Sequence, residues 1–223
     1  MTPLRTACWD FEMETGDHAL PTVSFPAVAV ERRRVTHGDE LAILAEETGS
    51  FFNCAEVVRR QGGAARIAAR KLLKAAGYEN WPLLRRVGMG PLWPPGVVGS
   101  ISHSENHAVA GLASSDFFAG LGIDIEPAAP LPVEILNFVA LPHEREFIDC
   151  NSIQGRVLFC AKEAAYKAVH PIDGHFLEMH DIAVDPSLSF AITSYGRRVE
   201  LVFHIDCSII AVGTVRHLWG SVS

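Results

Sequence analysis

The sequence predicts an α+β protein built from two similar α+β halves. Three observations carry this expectation. Helical periodicity gives way to short runs rich in Val, Ile and Gly, which read as strands. The same order, helix then strands, is then met a second time. Between the two passages lies a breaker, Pro127 to Pro132 (PAAPLP), which no regular element tolerates. No repeated sequence accompanies the repeated architecture, so the halves share a plan and not residues.

Each element has its own signal. Residues 39–60 (DELAILAEETGSFFNCAEVVRR) read as mostly helical with a break near Gly49-Ser50, and Gly62-Gly63 is expected to interrupt the pattern. A second helix is expected from about Ala64 to Ala76. There Ala64, Ile67, Ala68, Leu72 and Ala75 recur every three or four positions, and Gly77 is the stop. The Pro/Gly-rich run Val87 to Gly96 is a loop. Val97–Ser102, His107–Ala113 and Phe118–Glu126 read as strands. Val133–Val139 and His143–Asp149 read as short helices. Ile153 to Val169 is a strong helix that His170-Pro171 is expected to end. Strands return at His180–Val184, Ser189–Thr193, Arg198–Ile205 and Ser208–Arg216.

Composition narrows the function classes. Nearly half the residues are apolar and a fifth are charged, as in a soluble globular protein. Five cysteines, Cys8, Cys54, Cys150, Cys160 and Cys207, are scattered and form no C-x-x-C spacing. That argues against a zinc site or a disulfide framework and for a reduced, cytoplasmic setting. The start lacks a basic segment followed by an apolar one, and no run is long enough to span a membrane. A formal net charge of −7 disfavours nucleic acid. Yet residues 57–87 carry eight Lys or Arg against one acid, Glu79. A basic patch on an acidic protein points to a small anionic ligand.

Two short segments carry the chemistry. On a strand, Asp124 and Glu126 project from one face; on a helix, Glu163 and Lys167 stand one turn apart on one face. If the faces meet, they form an anionic cage with a lysine at its rim, which suits a hard divalent cation and a pyrophosphate. Asp124 and Glu126 are the metal candidates, with magnesium the expected ion. Glu163 is a third ligand, a general base, or both. Lys167 would neutralise a phosphate, and Lys162, at another angle of the same helix, faces another part of the ligand or solvent. In Gly99-Ser100-Ile101-Ser102-His103-Ser104, the Ser102 hydroxyl and the His103 imidazole can bind phosphate oxygens. The run lacks the Gly-x-Ser-x-Gly elbow, so a serine nucleophile is not expected. Arg66 and Arg70, at i and i+4, could grip a terminal phosphate. Singly, a solvated edge, a surface ion pair or a polar turn accounts for each of these features.

Taken in order, WPPGVVGSISHS, GLGIDIEP and LFCAKEAAYKAV closely resemble the 4′-phosphopantetheinyl transferases, of the long pseudo-dimeric type found in surfactin and enterobactin synthesis. The resemblance covers roughly residues 55 to 185. It implies two halves in pseudo-two-fold arrangement, residues 1–126 and 127–223, with the active site at their interface. It implies transfer of the 4′-phosphopantetheine arm of coenzyme A to a serine of an apo acyl or peptidyl carrier protein, releasing adenosine 3′,5′-bisphosphate. By motif, Asp124 and Glu126 match the magnesium-holding acids and Glu163 the metal neighbour and base. Lys167 matches the lysine on the pyrophosphate and His103 the contact to the 3′-phosphate. Arg59 and Arg66 resemble the arginine pair at that phosphate, with Arg60 or Arg70 able to replace either.

The sequence departs from the pattern twice. No cation stands in Val87–Trp93, where many relatives have one, so either Arg85 or Arg86 substitutes or coenzyme A binds more weakly. The spacing around Gly62-Gly63 is also one residue short. Neither nucleic acid nor membrane is an expected partner, and a monomer suffices. The carrier is expected to dock near Leu131–Val139, whose Ile135, Leu136 and Phe138 are otherwise core. The rival readings are a metal-dependent phosphoesterase acting on coenzyme A or a nucleotide, and a non-catalytic coenzyme A-binding module.

Overall fold

Two antiparallel sheets each carry one long helix. The computed structural model describes Phe25 and residues 27–85 and 90–217. Cys8, Arg86 and residues 87–89 of the Pro/Gly loop lie outside them. The first sheet has the order β1-β3-β2, from β1 (Ala29–Arg34), β2 (Val97–His103) and β3 (His107–Ser114). The second has the order β4-β8-β7-β6-β5. Its strands are β4 (Phe118–Pro127), β5 (Ile182–Val184), β6 (Phe190–Thr193), β7 (Arg198–Ile205) and β8 (Ser208–Arg216). Helix α1 (Glu56–Ala75) packs on the first sheet and α4 (Gln154–Asp173) on the second, and each helix is 20 residues long. The short helices α2 (Val133–Val139) and α3 (Pro142–Arg145) lie between.

β4 is where the sheets meet. The sequence groups it with the strands before it, and the structure pairs it with β8, in register from Gly120↔Val215 to Pro127↔Ser208. Its side chains alternate between two environments, as strand geometry requires. Leu121, Ile123 and Ile125 are buried with Val109 of β3 and Ile210 and Val212 of β8, forming the core between the sheets. Gly120, Gly122, Asp124 and Glu126 occupy the other face. A Cβ on Gly120 would lie 2.1 Å from Ala168 O, and one on Gly122 1.9 Å from Ala164 O. The two glycines therefore let the backbone of α4 lie directly on the strand.

Several expected boundaries shift. Gly62-Gly63 does not interrupt a helix, since α1 runs through both. A Cβ on Gly63 would come 1.9 Å from Asp39 O, and one on Gly62 2.4 Å from the Phe51 ring. These glycines mark close packing, and the helix tolerates their roughly 1 kcal/mol propensity cost because of what they bring together. Upstream, residues 39–60 are not one broken α-helix. They form 3₁₀ turns at Asp39–Ala42 and Ala45–Phe51 before α1 begins. His170-Pro171 does not end α4 either; the helix continues to Asp173, and Gly174 terminates it in the left-handed region, φ 67°. β1, AVERRR, was not anticipated, because three successive arginines give no strand alternation.

Candidate active site

Asp124 is the centre of the site. It projects from β4 toward α4 and is buried. Its Oδ1 accepts hydrogen bonds from Lys167 Nζ at 2.6 Å and from Ser102 Oγ at 2.7 Å. Lys167 Nζ also reaches Ser102 Oγ at 3.1 Å and the carbonyl of Ile123 at 3.3 Å. Three elements from both halves, β2, β4 and α4, thus meet on one carboxylate. Asp124 Oδ2 is buried and has no hydrogen-bond partner among the described residues. Leaving such an oxygen unpaired costs about 1–3 kcal/mol. A bound cation would offset that cost.

Glu163 and Glu126 lie within electrostatic reach of Asp124, although the ligand atoms of the three acids do not all come within 4.8 Å of one another. Burial pushes the Glu163 carboxyl above its ordinary value and the Asp124 charge adds to this, against an opposing pull from Lys167. Glu126 is pushed up in the same way, by burial and then by Asp124, against Arg156 and Lys167. Burial works against the Lys167 ammonium, but Asp124 and Glu163 outweigh it and its pKa rises. Lys167 and Arg156 stand against three carboxylates, which leaves a deficit of positive charge. Oxygen-only, carboxylate-rich ligation is the donor set of magnesium, which keeps several waters and takes one or two protein carboxylates plus phosphate oxygens. The residues present fit that ion. Among the described residues, the one set of three metal-binding groups within 4.8 Å of one another is His37, Glu40 and Glu56, elsewhere on the first half. Arg60 already bridges Glu40 and Glu56, so that set has its cation.

A basic group adjoins the acids. Crowding pushes the His103 imidazole below its ordinary pKa, and the nearby charges of Lys167, Arg66 and Arg85 act in the same direction. His103, at the end of β2, still reaches solvent. Arg66 is buried, its guanidinium 3.2 Å from Glu47 and over the Phe51 ring at 4.6 Å. It also donates to the carbonyls of Gly62 and Leu83. Glu47 is the residue the sequence did not flag. Its side chain is fully buried and takes Arg66, Arg70 and the amides of Leu44 and Leu83. In the sequence it is one of two adjacent glutamates in a polar stretch and gives no sign of this.

Two expected ligand residues are held elsewhere. Lys162 is fully buried and donates to Glu144 Oε2 at 2.7 Å, Val139 O at 2.8 Å and Met179 O at 3.0 Å. Its three donors are used, so it ties α4 to its own lobe and faces neither ligand nor solvent. Arg70 is held by Glu47 and the carbonyl of Ala42, and lines a cleft with Lys71 and Lys74 on the outer side of α1. Arg59 is exposed in the first turn of α1. Arg85, one of the two proposed substitutes for the missing cation, lies within electrostatic reach of both Arg66 and His103. A cleft of about 210 Å³ opens onto Glu163, lined by Tyr166, Phe176, Leu177 and Met179 among others.

An acid cluster with one lysine, flanked by a histidine and arginines at the seam of two helix-on-sheet units, is the equipment of phosphoryl transfer. Comparison with known proteins gives the particular family. Residues 47–113 match the model of the 4′-phosphopantetheinyl transferase N-terminal domain, and residues 120–206 that of the 4′-phosphopantetheinyl transferase superfamily. The chain is 35% identical over 155 residues to 4′-phosphopantetheinyl transferase Npt of Nocardia iowensis, covering 68% of this chain and 70% of the relative. It is 40% identical over 129 residues to 4′-phosphopantetheinyl transferase Svp of Streptomyces mobaraensis, covering 54% and 52%. It is 34% identical over 156 residues to enterobactin synthase component D of Escherichia coli, covering 67% and 68%. This chain belongs to the 4′-phosphopantetheinyl transferase superfamily.

Proposed function

We propose that the protein transfers the 4′-phosphopantetheine arm of coenzyme A to a serine of an apo acyl or peptidyl carrier protein. The observation that carries the site assignment is the convergence of Ser102, Asp124 and Lys167 within hydrogen-bonding distance, from strands of both sheets and from α4. Asp124, Glu126 and Glu163 would hold magnesium, which when bound neutralises pyrophosphate charge and aligns the phosphorus for in-line attack. Arg85 and His103 would receive the 3′-phosphate, with Arg66, itself held by Glu47 and two carbonyls, lending its charge from behind them; we leave Arg70 and Lys162 out of the ligand set.

Glu163 takes the proton from the carrier serine hydroxyl. The serine oxygen forms a bond to the phosphorus that bears the pantetheine arm. The bond from that phosphorus to the bridging oxygen breaks, and the electron pair leaves with adenosine 3′,5′-bisphosphate. Lys167 offsets the charge that develops on the leaving group. Ser102 works through Asp124, by holding Oδ1. Because the nucleophile belongs to the carrier, the chain needs no nucleophile of its own.

We read the halves 1–126 and 127–223 as the units that build this site, with β4 closing the first and hydrogen-bonded into the sheet of the second. One chain then completes the site, which supports a monomer. The four described cysteines are free, and no described helix is long and apolar enough to cross a membrane; both accord with a cytoplasmic enzyme. Val133, Ile135 and Phe138 are exposed on α2, whereas Leu136 is buried. The exposed three support carrier docking there.

The test is incubation with coenzyme A, magnesium and a panel of apo carriers, read by intact mass. Transfer adds the arm to the carrier, whereas hydrolysis leaves the carrier unchanged. Asp124→Ala and Glu163→Gln should abolish the gain while the protein stays folded. Normal turnover by both variants would remove these assignments.

A further inference from the structure

The two acids of β4 are built alike. Asp124 has one oxygen anchored by side-chain donors and the other without a partner among the described residues. Glu126, two residues on and on the same face of the strand, has Oε2 anchored by Arg156 Nη1 at 3.0 Å. Among the described residues no hydrogen bond reaches Oε1. A carboxylate that binds a cation through one oxygen is oriented by the donor on its other oxygen. Ser102 and Lys167 are that donor set for Asp124, and Arg156 is in the same place for Glu126.

Arg156 is well placed to be rigid. It lies in the first turn of α4, and its side chain is 18% exposed. The same guanidinium donates through Nη2 to Pro130 O at 3.1 Å and through Nε to Ala129 O at 3.4 Å. A planar fork with fixed donor directions, engaged on three acceptors, has little freedom left. It therefore fixes the Glu126 carboxylate relative to α4, the helix that carries Glu163. Without Arg156, Glu126 would face the Asp124 charge with no cation bonded to it and would turn toward solvent at the end of the strand.

We propose that Arg156 is a positioning residue that orients Glu126 for the cation and so sets the metal affinity of the site. This rests on the metal assignment proposed above. Positive charge near a cation site by itself weakens cation binding, so the sign of the effect separates orientation from electrostatics. Loss of orienting partners of metal ligands commonly costs about 10–100-fold in affinity.

The test is direct metal binding, read by electron paramagnetic resonance of manganese(II) with magnesium as competitor, in wild type, Arg156→Ala and Arg156→Lys. Circular dichroism and a thermal melt report folding. We expect Arg156→Ala to bind manganese about tenfold or more weakly, with Arg156→Lys between it and wild type. Equal or tighter binding by folded Arg156→Ala overturns the proposal. If Arg156→Ala does not fold, Arg156→Lys carries the test, and affinity equal to wild type overturns it. A rise in carrier KM with unchanged metal affinity also overturns it, since that is what a role confined to ordering residues 127–132 would give. Wild type that binds no manganese would instead overturn the metal assignment itself.

Discussion

Lys162→Met is expected to unfold the protein more readily while sparing coenzyme A binding. Lys162 and Glu144 have side-chain exposures of 0% and 2%. The ammonium is bonded to Glu144 and to the carbonyls of Val139 and Met179. Glu144 in turn accepts from the amides of Leu141 and Val184 at 2.7 and 2.9 Å. The pair therefore joins α4 to the end of α2, to α3, to the 3₁₀ turn Met179–Asp181 and to β5. Removing one partner of such a buried pair leaves an uncompensated charge and costs about 3–5 kcal/mol. For a chain of this size each kcal/mol moves Tm by roughly 2–4 °C, so the fall should be about 6–20 °C. Adding Glu144→Gln removes the stranded charge and should restore about half of the loss. Thermal and urea unfolding measure both variants, and calorimetry with coenzyme A measures binding below the transition. A Lys162→Met protein of unchanged stability but weakened coenzyme A affinity would refute this reasoning and return Lys162 to the ligand set.

Four other outcomes follow from the geometry. Gly122→Ala should displace α4 from β4, because its Cβ would lie 1.9 Å from Ala164 O. A shift of about 1 Å between Asp124 and Lys167 should lower kcat on the order of 100-fold in a carrier-loading assay. Ser102→Ala removes a hydrogen bond to a carboxylate, worth about 1.5–3 kcal/mol. Manganese affinity should fall by on the order of tenfold, with the far-ultraviolet dichroism unchanged. For His103, crowding and then Lys167 hold the imidazole below its ordinary pKa, and a bound phosphate would pull it back up. Coenzyme A binding should then take up protons near neutral pH, measured as a buffer-dependent heat, and His103→Ala should abolish that uptake. Burial pushes the Asp206 carboxyl up, but bonds from Arg32 and Ser208 outweigh it and hold its pKa well below the carboxylate range. A depressed acid stabilises above its unfolded pKa of about 3.9 and loses that contribution as pH falls. The stability gap between wild type and Asp206→Asn, from urea unfolding, should therefore be full at neutrality and narrow below about pH 4.

What the sequence made legible were the features that depend on local periodicity. Asp124 and Glu126 share a face because strands alternate, and Glu163 and Lys167 share one because they stand a helical turn apart. Both statements need only a few residues of context. What stayed hidden depends on partners far along the chain. Gly62-Gly63 looks like a helix breaker until Asp39 and Phe51 are placed against it. Lys162 sits beside the proposed base in sequence, yet about 100° away around the helix, which turns it into a buried pair with Glu144. Arg66 and Arg70 look like a free pair at i and i+4, but Glu47, far earlier in the chain, holds both. β1 was unreadable because Arg32 is buried against Asp206 and Ser208, which no local pattern in AVERRR reveals.

The same contrast explains how the site is assembled. A charged cluster resists being formed, because three carboxylates in a crowded place repel one another. Something apolar has to hold them there. On β4 that work is divided by strand alternation: Leu121, Ile123 and Ile125 bury one face between the sheets, and Gly120 and Gly122 seat α4 on the other. The strand is thereby fixed on both sides before its acids begin at Asp124. Across the joint, α4 brings Ala164 and Ala168 against the glycines, Lys167 against Asp124 and Arg156 against Glu126. The register of one helix on one strand therefore sets two of the acids and both of their cationic partners together. It follows that substitutions at the glycines should act as active-site substitutions, although no glycine touches a ligand.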